Sequence, residues 1–237
     1  MGSDFRLTNY PAQLFVRRAS KPNRVAEGLV DDLWALRDGA FVVVPWKQAL
    51  ILEGRVFHVP VGTFSTPILG GGAGTILDID QPELAISIPQ STAIMPLSIA
   101  ITCHTPLIAA DSNESEILVA IDRAVAAAIS ATNGTVETPV NMRTDLATGG
   151  SRCTIVSAIT TDITVAPVHH LEWHKVITAD VQGTAANALW GELNLDQDKD
   201  GMPLIVGPAT LLVYWGGTVA TNGFGTVEFA EFQSVDN

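Results

Sequence analysis

Ten or more short apolar runs follow one another along this chain, separated by glycine, proline and asparagine, and that punctuation most restricts how it can fold. Phe41–Val44, Ala49–Leu52, Leu84–Ile88, Leu97–Cys103, Ile117–Asp122, Cys153–Thr160, Leu171–Thr178, Leu204–Val206, Leu211–Trp215 and Val227–Phe232 all read as strands. Arg55–Val59 alternates apolar and polar, and Thr75–Ile79 follows the glycine cluster Gly70-Gly71-Gly72-Ala73-Gly74. Asn133-Gly134, Gly149-Gly150 and Asn222-Gly223 read as turns. Runs of this length are too short for helices and too closely spaced for βαβ units, so the expected class is all-β, an antiparallel sandwich. The strand count favours a jelly roll of two packed four-stranded sheets. An immunoglobulin-like sandwich fits less well, because about 100 residues already suffice for one and this chain has 237.

Residues 1–40 differ from the rest. They mix Pro11, Pro22, Gly28 and Gly39 with basic residues and one helical candidate from Val30 to Arg37. The expected division is an extended N-terminal arm with a short helix (1–40), then the jelly roll (41–237). Charge follows the same division. Residues 1–60 carry eight basic and six acidic groups, whereas residues 61–237 carry five and nineteen, a net of -14. An acidic body repels nucleic acid and anionic lipid, so no direct nucleic-acid binding is expected. The basic stretch Arg17, Arg18, Lys21 and Arg24 is the candidate for assembly contacts with an acidic neighbouring subunit. No uncharged apolar run approaches the roughly 20 residues of a membrane span, and the first residues lack the pattern of a signal peptide.

Chemistry-bearing patterns are few. On a strand, His170, Glu172 and His174 of His169-His170-Leu171-Glu172-Trp173-His174 would share one face, a set suited to zinc or iron. The plainer reading leaves them on a solvent-facing or subunit-facing surface. Asp196, Asp198 and Asp200, followed by Gly201, match the opening of an EF-hand-type calcium loop. The twelfth position of that loop falls on Gly207, where a bidentate glutamate belongs. The alternative is an acidic connection between two strands. Cys103 and Cys153 form no CxxC pair; buried thiols and a disulfide between them both remain open. The glycine cluster lacks the Lys-Ser/Thr of a phosphate loop, and no nucleophile elbow or triad is present. No catalytic residue and no cofactor are expected.

At Val44–Gln48, Val61–Ile68 and Leu204–Thr218 the sequence resembles the small β-rich, head-associated structural proteins of tailed bacteriophages. The most specific stretches are Val206–Thr218 and Glu228–Phe232. The resemblance runs from about residue 41 to the C-terminus and carries over no catalytic residue. It implies a virion protein made in the host cytoplasm that decorates or cements a capsid. Its expected partners are its own copies, a homotrimer the expected form, and the major capsid protein. A surplus of apolar side chains in a chain without catalytic motifs agrees with an assembly role. The alternatives are a shell-forming jelly roll or a tail or fibre component, a cupin-like metalloenzyme built on His170, Glu172 and His174, and a carbohydrate-binding module.

Overall fold

A computed structural model describes residues 45–71, 77–105, 113–123, 129–146, 150–164, 172–179, 189–217 and 221–233. The basic stretch from Arg17 to Arg24, the helical candidate at 30–37 and the run Phe41–Val44 lie outside these residues. The chain divides into two compact units, Met1–Gly54 and Arg55–Asn237.

In the first unit the run Ala49–Leu52, expected as a strand, belongs to a helix, α1 (Trp46–Leu52). Four apolar residues carry no periodicity that separates strand from helix, and their neighbours decide. Pro45 takes the N-cap position, Lys47, Gln48, Ala49 and Leu50 are good helix formers, and Gly54 ends the turn at φ 73 with its N–H on the Ile51 carbonyl.

The second unit contains, in chain order, β1 (Val56–Val61), β2 (Ile68–Leu69), β3 (Leu84–Ile88), β4 (Thr92–Thr105), β5 (Asn113–Asp122), β6 (Thr135–Val136), β7 (Val140–Asn141), β8 (Thr154–Ser157), β9 (Glu172–Ala179), β10 (Leu189–Asp196), the helical turn α2 (Gln197–Asp200), β11 (Ile205–Val206), β12 (Ala209–Gly217) and β13 (Asn222–Gln233). One sheet has the order β10-β4-β13-β1-β7, with β11 on β4 and β2 on β13; the other has the order β6-β8-β3-β12-β5-β9. Eight of these strands pair in nested fashion: β1 with β13, β3 with β12, β4 with β10, and β5 with β9, all antiparallel. The chain thus runs out and back as one long ribbon that is rolled into two sheets. This is the jelly-roll topology expected from the sequence. The segment between β5 and β9 supplies β6, β7 and β8, which extend both sheets on the side of β1 and β3. Extra pairing there shields edges that would otherwise offer open backbone donors and acceptors.

Apolar side chains fill the space between the sheets. Phe57 and Val59 of β1, Ile86 of β3, Ile99 and Ile101 of β4, Ile117 and Val119 of β5, Val213 and Trp215 of β12, and Phe229 of β13 belong to one cluster. Phe57 and Phe229, register partners on β1 and β13, stack with centroids 5.7 Å apart. A second cluster covers the outer face of the β3-β12-β5 sheet, where Ala85, Leu118, Leu212 and Tyr214 pack with Ile129, Ile159 and Ile163 from the connections. Burial on both faces explains why those strands read as unbroken apolar runs rather than alternating ones.

Two further expectations are corrected. The described part of Thr75–Ile79 is no strand: Asp78 accepts from the backbone of Asp80 and Gln81, an Asx-type turn that outcompetes the extended form. Asn222-Gly223 opens β13 instead of making a turn. Gly223 is glycine because the Trp215 indole lies against it, 2.6 Å from where a Cβ would stand. Among the described residues no helix is long and apolar enough to cross a membrane.

Candidate functional site

The metal candidates are placed as follows. Glu172 and His174 lie on β9, in register with Ala120 and Leu118 of β5, and His170 falls outside the described residues. Asp196, Asp198 and Asp200 form a self-capped turn that joins β10 to β11, both of which pair with β4. The Asp196 carboxylate accepts the Asp198 N–H at 2.9 Å, and the Asp200 carboxylate accepts the Asp196 N–H at 2.7 Å. Gly201 closes the turn in the left-handed region at φ 64, where a side chain would be strained. Two of the three carboxylates are thereby engaged by the loop's own backbone donors. Among the described residues no group of three His, Cys, Asp or Glu is arranged to hold a metal ion.

One buried polar centre carried no signal in the sequence. Glu83, just ahead of β3, is 2% exposed. One of its carboxylate oxygens accepts the Gly71 N–H at 2.7 Å and the other accepts the Trp215 N–H at 2.8 Å. Trp215 is fully buried, and its indole N–H donates to the Ile68 carbonyl at 3.1 Å. Gly70 donates to the Thr221 carbonyl, and a Cβ on Gly70 would stand 2.1 Å from the Trp215 carbonyl oxygen. The carboxylate and the indole together tie the β2 connection, β3, β12 and the start of β13. The arrangement positions strands; it presents no group to solvent.

Cys103 and Cys153 are free, buried thiols. Burial, then the Glu83 charge, raises the Cys103 thiol far above its ordinary range. Burial, then the Glu231 charge, pushes Cys153 up to about 12, against a lowering hydrogen bond from Ser151. Thiolate is the reactive form, so both are inert in the folded chain. A maleimide is expected to label neither cysteine at pH 7 and both after denaturation. Groups whose folded pKa is raised lose their stabilising contribution as pH climbs past the unfolded value. Stability is therefore expected to fall from about pH 9 upward, a decline that chemical denaturation at stepped pH would register.

The outer face of the β10-β4-β13-β1 sheet is the remaining candidate. Its middle is half-buried and small or polar, with His58, Ser98, Ala100, Thr102, Thr226 and Glu228. His58 Nδ1 lies 3.3 Å from the Glu228 carboxylate. Apolar features stand at its two ends. At one end Phe64, 74% exposed, packs edge-on to Phe224 with centroids 6.1 Å apart. Phe64 rides a loop closed by reciprocal backbone hydrogen bonds of 3.1 Å between Thr63 and Thr66, reinforced by the Thr63 hydroxyl. At the other end Ala93, Met95, Leu204, Val206, Phe232 and Gln233 line an open groove of about 440 Å³. Leu204 and Val206 are 56% and 52% exposed. Sequence reading expected surplus apolar surface but not its location, which depends on how the rolled ribbon brings Phe64, Leu204 and Val206 to one sheet.

Fold and surface together define a jelly-roll sandwich built on eight nested strands, with an apolar-filled interior and, among the described residues, a sheet face that carries exposed apolar side chains at both ends. No protein-family model matches the chain, and no curated protein matches it.

Proposed function

We propose that this chain is a virion structural protein, an oligomeric subunit that decorates or cements a capsid shell. The observation that carries the reading is the nested eight-strand jelly roll, an architecture used by viral capsid proteins, lectins and cupins, in combination with exposed apolar side chains at both ends of one sheet face. The described space between the sheets is filled by aliphatic and aromatic side chains, which favours a packing role over a ligand-holding one. The acidic body suits contact with protein more than with nucleic acid. A shell-forming subunit is the second reading, favoured by the completeness of the eight-strand topology.

Light scattering of the purified protein, with metal analysis on the same peak, tests the proposal. The expected result is a defined oligomer without a stoichiometric transition metal. A monomer that holds about one zinc, iron or manganese per chain would contradict it and bring His170, Glu172 and His174 forward.

A further inference from the structure

The outer face of the β10-β4-β13-β1 sheet carries an exposed knob and an open groove at opposite ends of β13. We infer that this face is a two-fold interface with a second copy of the chain, in which Phe64 of each copy enters the groove beside Val206 of the other. The inference rests on the proposed assembly role and adds the surface through which copies meet. Phe224, against which Phe64 packs, and Phe232, which lines the groove, share a face of β13 by parity, because the register shift between Glu228 and Phe229 skips Leu97 on β4 and leaves β13 without an extra residue. They lie eight positions apart, roughly 27 Å at the rise of an extended strand. Two copies laid face to face about a two-fold axis midway along β13 bring each knob to the other copy's groove, because such an interface pairs i with j and j with i. An axis beside a single feature would pair knob with knob instead.

Size and shape agree with that occupant. Four strands about 4.8 Å apart and the length between the two features give a face of roughly 500 Å² in projection. Over both partners that is about 1,000 Å², the lower end of what a specific interface buries. The groove, at about 440 Å³, has room for a phenyl ring together with the flank of its loop. The Thr63–Thr66 hydrogen bonds hold the knob in place before contact, which lowers the ordering cost of association. The midpoint of the face is Glu228, so the axis sets two carboxylates opposite each other, each beside the His58 of its own copy, and the apolar contacts at the two ends must outweigh that repulsion. The side chains around it are small (Ser98, Ala100, Thr226), so two such faces can approach closely.

Sedimentation equilibrium of the full chain, wild type against Phe64→Ser and Val206→Glu, provides the test. Each substitution alters an exposed side chain, so the melting temperature is expected to stay unchanged while self-association weakens by about tenfold or more. A Phe64→Cys/Val206→Cys double variant is expected to form a covalent dimer on oxidation, and neither single cysteine variant is expected to do so. A monomeric wild type, or self-association that both substitutions leave unchanged, would overturn the interface. Particle association of Phe64→Ser separates this from the assembly role itself. A chain that stays with particles while its self-association is untouched sinks the interface alone; a dimer that never associates with particles sinks the virion reading alone.

Discussion

Trp215→Ala is expected to cost about 4 kcal/mol, within the range measured for removal of a fully buried aromatic ring. The ring sits in the main core with no solvent exposure, and its indole N–H holds the Ile68 carbonyl. Gly70 and Gly223 leave no room for a Cβ beside it, so the backbone around the indole is shaped to the ring and cannot collapse into the space it would vacate. The loss is therefore expected toward the upper part of the range. Urea denaturation checks it: the midpoint falls while the slope stays constant if the variant still unfolds in two states. A midpoint within a few tenths molar of wild type would show that the indole is not the keystone of β12 and β13.

Glu83→Ala is expected to destabilise nearly as much, about 3 kcal/mol, for a different reason. Little apolar contact is lost, but the buried Gly71 and Trp215 N–H groups lose their acceptor. Each orphaned donor costs about 1–3 kcal/mol. Glu83→Gln preserves the length of the side chain and one carbonyl oxygen, so it can satisfy one donor while its amide nitrogen meets the other. Its loss is expected to be intermediate, about 1–2 kcal/mol. The order wild type, Gln, Ala in denaturation midpoint is the informative result. A glutamine variant as stable as wild type would mean that one of the two hydrogen bonds contributes nothing net.

Much of the fold was legible in the sequence. Leu84–Ile88 is β3 residue for residue, and Leu97–Cys103 and Leu211–Trp215 fall inside β4 and β12. Strand identity is local: β-branched and aromatic residues between turn formers settle it. The errors have local causes as well. Ala49–Leu52 carries four apolar residues that serve a helix or a strand equally, and Pro45 and Gly54, just outside the run, decide for the helix. Asn222-Gly223 has a strong turn signature, yet the glycine answers to Trp215, which only the pairing of β13 with β4 and the packing of β12 bring near. Nothing about the Glu83 centre was legible, because a glutamate after a proline gives no hint that two distant backbone amides converge on it. The face with its two exposed apolar ends is legible only once the nested pairing is known. Phe64 and Val206 lie far apart in sequence, and each alone is an ordinary exposed apolar residue.

The assembly role is tested most directly by peptide mass spectrometry across a density gradient of nuclease-treated lysate from the source culture. Peptides of this chain are expected to peak with the nucleic-acid-containing particles and to remain there after a high-salt wash. Recovery of the chain only among free proteins at the top of the gradient, in a lysate whose particles are intact, would contradict a structural role in the virion.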